Sequence, residues 1–384
     1  ASAGWACPVS RGWRRVETDM DFGLSEEQRL LEESVRRYLE TEAPIAHVRE
    51  IAETPTGHDR PLWQGLAELG VAGILVPEQH GGSGLALLDA AVAAESLGWG
   101  MAPAPFLGTA VMAPIALLSS GTPQQQEEWL AKIASGETCV GVAATELLSV
   151  HENAGVRLEG ERLHGKLLFV VDAGSADVFL VPLPGEALAL VGRNAAGLSI
   201  EMLTTVDRTR RVAELRFEAV APDDWIGGEG GAAESIRRML DAGRVALAAD
   251  LLGASERCIE KAVEYAKQRE QFGRLIGSFQ AVKHMCAEMA AELEPARSLV
   301  WYAAHAFTEQ PEEASLMAAH AKAHLAEVGT QIARTSTEVH GGIGFTDEHD
   351  LHFWFKRVGL DRQLLGAPTL LREHAARLQG WTTS

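Results

Sequence analysis

The sequence predicts an α+β chain in three parts: an N-terminal helical domain, a middle antiparallel β sandwich or barrel, and a C-terminal four-helix bundle. Three observations carry this. The first and last thirds place apolar residues at helical spacing between capping residues. The middle third shifts to short β-type runs punctuated by Gly, Asp and Asn. The length, 384 residues, exceeds what one small core holds, so several packed units are expected.

Residues 1–19 contain Trp5, Trp13 and the cluster Arg11, Arg14, Arg15, with no apolar stretch leading to a small-residue cleavage site. They read as a loosely held extension or cloning remnant and not as a secretory signal. Met20-Asp21-Phe22 leads into the helical domain, expected over 20–137. Ser25-Glu26-Glu27-Gln28 is a capping box opening a helix to about residue 42. A second helix is expected near 60–69, ending at Gly70, and a third over 86–97, ending at Gly98. Thr122-Pro123-Gln124-Gln125 is another capping box, with proline at the first helical position, and its helix ends near Gly136. Pro77 to Gly84 is a loop by composition.

The β domain is expected over 138–229. Its runs are Cys139–Ala144, Val156–Glu159, Leu163–Val171, Val178–Pro182, Ala187–Val191, Leu198–Leu203 and Val212–Phe217. Val156 to Leu163 reads as a hairpin, and strands at this spacing suit a small antiparallel sandwich or barrel. The bundle is expected over 230–384, with helices near 232–268, 281–307, 312–337 and 357–379. Pro295 should kink the second of these. Arg269–Gln280 and His340–Asp350 are Gly- and aromatic-containing connectors.

Lys plus Arg number 34 and Asp plus Glu 53, a net charge of −19. Phosphate neutralisation needs clustered basic residues, so nucleic acid and anionic membranes are poor partners. Cys7, Cys139, Cys258 and Cys286 are widely spaced, which points to a reduced compartment, the cytoplasm, and away from a disulfide scaffold or zinc ribbon. The apolar stretch 107–118 is too short to cross a bilayer. HExxH, Walker A, GxSxG and strand-linked GxGxxG motifs are absent. His349 and His352 beside Asp350 would need further ligands to hold a metal, so none is expected there.

Two segments stand out: Arg269-Glu270-Gln271-Phe272-Gly273-Arg274-Leu275-Ile276-Gly277-Ser278-Phe279-Gln280 and Glu338-Val339-His340-Gly341-Gly342-Ile343-Gly344-Phe345-Thr346. Arg269 offers a fork of donors suited to pyrophosphate. Gly341-Gly342 leaves backbone amides open to a phosphate or flavin edge. The same residues also suit tight helix–helix turns that need glycine.

Together with Leu69-Gly70-Val71-Ala72-Gly73-Ile74-Leu75-Val76-Pro77-Glu78-Gln79-His80-Gly81-Gly82 and Ala144-Thr145-Glu146, these segments resemble the acyl-CoA dehydrogenases, over about Phe22 to Leu378. The resemblance implies the helix–β–helix order and FAD held between the β domain of one subunit and the bundle of its neighbour. It implies that Arg269, Gln271, Phe272, Phe279 and Gln280 clamp the ADP part across the interface. Glu338, Val339, Gly341 and Gly342 would complete the phosphate and adenine side. Thr145 matches the threonine near the flavin ring, and Phe169 and Val171 match a Trp and a Thr that sit against it. Asp241 and Arg244 match residues lining the acyl-CoA site; their bland alternative is an i,i+3 helix-surface pair.

Three departures from the family pattern follow. After Thr145-Glu146 the usual Pro and Gly-Ser-Asp turn is replaced by Leu147-Leu148-Ser149-Val150-His151, and Val171 lacks the hydroxyl of Thr. The usual catalytic Glu falls at Leu365, and its alternative position on the first bundle helix falls at Gly243. Asp250, in an apolar run on the same helix face as Gly243, could serve as a base if burial raises its pKa. It lies roughly 10 Å along the axis from Gly243, and the other possibility is a buried ion pair with an arginine.

The family reaction takes a proton α to a thioester carbonyl and passes a β-hydride to flavin. Two assemblies then suit the chain. One is a heterotetramer with two copies each of two chains, whose partner supplies the base and ring contacts; such assemblies in the family go with bulky substrates such as sterol side-chain CoA esters. The other is a homotetramer using Asp250 or another base. The implied cofactor is FAD, the substrate an acyl-CoA of fatty acid or sterol side-chain type, and the acceptor electron-transfer flavoprotein or a similar carrier. A non-catalytic scaffold and a flavin monooxygenase are the alternatives from other classes.

Overall fold

The computed structural model describes residues 23–148, 154–183, 187–227 and 231–382. The 1–19 extension, Met20-Asp21-Phe22 and Ser149-Val150-His151 lie outside the described residues. Six helices come first: α1 (Glu26–Glu42), α2 (Ile45–Glu53), α3 (Arg60–Glu68), α4 (Leu87–Gly100), α5 (Ala113–Ser120) and α6 (Pro123–Ala134). Both capping boxes form. Ser25 Oγ accepts from Gln28 N at 3.1 Å while Gln28 Oε1 accepts from Ser25 N at 3.0 Å, and Thr122 and Gln125 do the same at 3.2 and 2.9 Å. Helices α2 and α5 go beyond the sequence expectation. The first is short and has no side-chain cap. The second continues from a π-helical turn, Leu107–Met112, in an apolar stretch with no periodicity to read.

The strands are β1 (Val140–Val142), β2 (Gly155–Glu159), β3 (Arg162–Val171), β4 (Val178–Leu183), β5 (Ala187–Gly192), β6 (Leu198–Met202), β7 (Val212–Val220) and β8 (Asp224–Ile226). The expected hairpin joins β2 to β3 around Gly160, which takes φ 64°. The strands form a single sheet in the order β6-β7-β3-β1-β4-β5-β8, with β2 beside β3. It is mixed where a purely antiparallel domain is expected: β1 runs parallel to β4, with Val140 opposite Val178. Composition marks a strand but not its partner, and β1 reaches β4 only after the β2–β3 excursion.

The last third holds α7 (Ala233–Gln268), a small hairpin of β9 (Glu270–Gln271) and β10 (Arg274–Leu275), α8 (Gln280–Glu309), α9 (Pro311–His340), α10 (Leu351–Asp361) and α11 (Pro368–Leu378). The fourth expected helix is thus two. The first ends at Asp361, Leu365 and Gly366 then turn the chain with φ 54° and 111°, and Pro368 starts the next. Helix α8 stays one helix across Pro295.

Helix α7 is the spine, buried without a break from Met239 to Ser255. It crosses α4 backbone to backbone. A Cβ on Gly253 would lie 1.8 Å from the Glu95 carbonyl oxygen, and one on Gly98 2.1 Å from that of Asp250. Only glycine allows so close a crossing. One apolar core runs from α1 through α10, and a second fills the sheet.

Candidate functional site

Two cavities meet where α7, the sheet and the 362–367 break converge. The first, about 530 Å³, carries Arg237, Asp241, Arg244, Ser315, His374 and Arg377. The second, about 490 Å³, is lined by Thr145, Phe169, Thr205, Val206, Leu360, Leu364 and Leu365 among others, with no ionisable group among the described residues. Leu148, Gly366 and Leu370 belong to both walls.

Asp241 and Arg244 are buried on the first cavity, one helical turn apart, and pair at 3.0 Å. They are not a surface pair. Ser315 Oγ also donates to Asp241, and Arg237 approaches it at 3.4 Å. Arg244 Nε donates to the Leu365 carbonyl at 3.2 Å, so the same guanidinium anchors the break. Burial pushes Arg244 down from its ordinary value, with Asp241 opposing.

The structure brings Gly243 and Leu365 together. A Cβ on Gly243 would sit 2.7 Å from Leu365 Cδ1 and 3.0 Å from Met112 Sδ. The two positions where the family pattern would put a carboxylate therefore face each other, one empty of side chain and the other filling the space with a leucyl group.

Asp250 is on neither wall. Its Oδ2 accepts from Arg210 at 2.9 Å and from Arg357 at 3.3 Å. Arg357 also binds Asp207 at 2.9 Å, and Arg210 binds Asp361. Burial pushes the Asp250 carboxyl up, but the two guanidinium groups outweigh it and hold the carboxyl below its usual range. Burial lifts Asp361 well above its own. The expectation of Asp250 as base gives way to its alternative: it is a member of a buried ion-pair cluster, paired through Oδ2 to two cations, and it lines neither cavity. Lys322, fully buried beside this cluster, is pushed down to about 7 by burial, and its Nζ donates to the Arg362 carbonyl at 3.4 Å.

The two connectors meet at one end of the bundle, where Tyr265 of α7 stacks on His340 of α9 at 4.6 Å. Arg269, Gln271, Gln280 and Glu338 are exposed, and Phe272 is 93% exposed. Phe279 lies under Arg274, whose guanidinium is 3.9 Å from the ring centre, and edge-on to Phe272. Gly341 takes φ 65°, and neither it nor Gly342 has any atom within 4 Å of where a Cβ would be. Val339 is buried, so only its backbone can meet a ligand. None of these residues lines either cavity. An exposed arginine fork, an exposed aromatic ring and two open glycines fit a nucleotide diphosphate.

The ring side is different. Thr145 and Phe169 line the second cavity, and Thr145 Oγ donates to the Phe169 carbonyl at 3.4 Å. Val171 is buried in β3 opposite Val142 and Val212 and is not among the residues lining the cavity. The sequence reading misses Arg210, Arg357, Asp207, Asp361 and Lys322. Arg210 lies in the charged run Asp207-Arg208-Thr209-Arg210-Arg211, which has the composition of a surface loop. Only the fold shows that Asp207, Thr209 and Arg210 are buried.

Family models for the acyl-CoA dehydrogenase N-terminal and C-terminal domains match residues 25–137 and 230–379. The chain is 34% identical over 358 residues to acyl-CoA dehydrogenase IpdE2 of Mycobacterium tuberculosis, covering 92% of this chain and 96% of that one. The ChsE4–ChsE5 complex of Mycobacterium tuberculosis superposes with a TM-score of 0.86 at 29% identity, over 95% of this chain and all of the matched one. A variant of the Tcur3481–Tcur3483 steroid ACAD superposes at 0.83 and 28%, over 93% and 98%. With its helix–sheet–helix order, its paired cavities and these matches, the chain belongs to the acyl-CoA dehydrogenase family.

Proposed function

We propose that this chain is one of two different subunits of a heterotetrameric, FAD-dependent acyl-CoA dehydrogenase. Its bundle end holds the ADP part of FAD, and the partner supplies the base and the flavin-ring contacts. The observation that carries this is the Gly243–Leu365 contact beside a cavity with no ionisable lining residue among the described residues. Proton abstraction needs a group that can take the proton within hydrogen-bond reach, and the described residues of this wall offer none.

When bound, the flavin supplies the hydride acceptor. The chain's own residues bind and orient. Arg269 would pair with pyrophosphate, and Gly341-Gly342 would let backbone amides approach it. Arg244 and Asp241 fix the wall between the cavities and present a cation to an anionic thioester carrier. The apolar cavity excludes water from the acyl part. The ChsE4–ChsE5 complex and the steroid ACAD support a two-chain assembly and a bulky acyl group. Electron-transfer flavoprotein or a similar carrier completes the cycle, in the cytoplasm.

The test is to purify the chain alone and co-expressed with a family member that keeps the carboxylate base. Flavin absorbance and acyl-CoA-dependent dye reduction are then recorded. A stable complex with flavin and turnover, against little of either from the lone chain, is expected. Full flavin occupancy and turnover from the lone chain would establish a self-sufficient homotetramer instead.

A further inference from the structure

A third cavity lies apart from the site above, between the α1–α2 corner, the end of α4, α7 and α10. It encloses about 320 Å³, within the range of roughly 300–1,000 Å³ for small-molecule pockets. One side is aliphatic, with Leu39, Ala43, Pro44 and Ile45. The other presents two tryptophans capped by cations. Arg257 sits 4.6 Å from the Trp99 ring centre and Lys261 4.7 Å from that of Trp354. The rings are fixed: Trp354 Nε1 donates to the Trp99 carbonyl at 3.0 Å, and Trp99 Nε1 donates to Glu260 at 3.0 Å.

The two cations are not equivalent. Arg257 is neutralised by Glu260 at 2.7 Å. Lys261 has no carboxylate within 4.0 Å among the described residues. Asp350 is engaged by Arg49 at 2.8 Å, and Glu40 stands at the exposed rim. Burial and the Arg257 charge push the Lys261 ammonium below its ordinary range. His340 and His349, on the neighbouring elements, are pushed down by burial and in part by Lys261. Asp350 and Glu264 act on Lys261 only from beyond ion-pair distance, and a half-buried ammonium with no direct ion-pair partner, on a wall of indole and aliphatic groups, matches an anion with an apolar body. Among the described residues, one cation without a direct ion pair and a carboxylate at the rim suit a single negative charge and disfavour a phosphate.

We propose that this cavity binds an apolar monocarboxylate, with its carboxylate on Lys261 and its body between Trp99, Trp354 and the Leu39–Ile45 corner. None of these residues belongs to the proposed dehydrogenase site, so the inference stands apart from that reading.

Isothermal titration calorimetry of the full chain with phenylpropionate and with its methyl ester tests it. The acid should bind saturably at one site per chain. It should bind at least about tenfold more tightly than the ester, the worth of one charge-assisted hydrogen bond. Lys261→Met should remove that preference. Lys132→Met, which deletes another lysine lying over a tryptophan, 5.1 Å from the Trp129 ring, should leave it intact. No saturable binding, equal binding of acid and ester, or wild-type affinity in Lys261→Met would overturn the proposal. The comparison of acid with ester on the wild-type protein holds even if Lys261→Met does not fold.

Discussion

At the residue scale the deciding pair is Gly243 and Leu365. Gly243→Glu would put a carboxylate at one of the family's base positions, but its Cβ alone would lie 2.7 Å from Leu365 Cδ1. Overpacking of this kind costs about 1–3 kcal/mol. Gly243→Glu should therefore lower stability without conferring turnover, and adding Leu365→Ala should recover part of the loss. Denaturant unfolding of the two variants checks this, and an unchanged midpoint in the single variant would contradict the packing. Lys322 gives a pH signature. Burial holds it at about 7 in the folded chain, against an ordinary value of 10.5. Between those values the unfolded chain binds the extra proton, so stability should rise with pH above about 7. Lys322→Met should be more stable near neutrality and should lose that rise, as read from melting temperature against pH.

At the scale of elements, the break between α10 and α11 shapes both cavities, and side chains from distant segments hold it. Arg244 donates to the Leu365 carbonyl, Lys322 to that of Arg362, and Arg210 binds Asp361. Arg244→Met leaves Asp241 buried without its main cation, a loss on the order of 3 kcal/mol. Amide exchange should quicken in residues 362–367 more than in the core of α7; uniform quickening would show that the arginine does not pin the break. At the other end of the bundle, Arg269→Ala should weaken ADP binding by about tenfold, if one charge-assisted bond is lost. These elements were unequally legible. The caps of α1 and α6, the β2–β3 hairpin and the long α7 announce themselves through local chemistry. The α10–α11 break hides in a stretch whose apolar periodicity continues across it, although Gly366 and Pro368 mark it in retrospect. The parallel β1–β4 pair leaves no local trace, since partner choice is set by the whole sheet.

At the scale of the molecule, the net charge of −19 means that anionic ligands are not drawn in at long range and must be met by local cations. In the proposals above, Arg269 at the bundle end, Arg244 at the first cavity and Lys261 at the third take that part. The sequence made the helical and strand regions readable and singled out the two connectors at the bundle end, because capping residues, glycines and an arginine fork carry their chemistry locally. It left Asp250 ambiguous, because its partners Arg210 and Arg357 lie 40 and 107 residues away and only the fold assembles them. The central claim is that this chain contributes a binding half and no base. Deuterium exchange at the α-carbon of a saturated acyl-CoA, in heavy water with FAD supplied, tests it most directly. The lone chain should leave the α-hydrogens in place, while its co-purified assembly with a base-bearing family member should exchange them. Exchange catalysed by the lone chain at a rate matching the assembly would contradict the account.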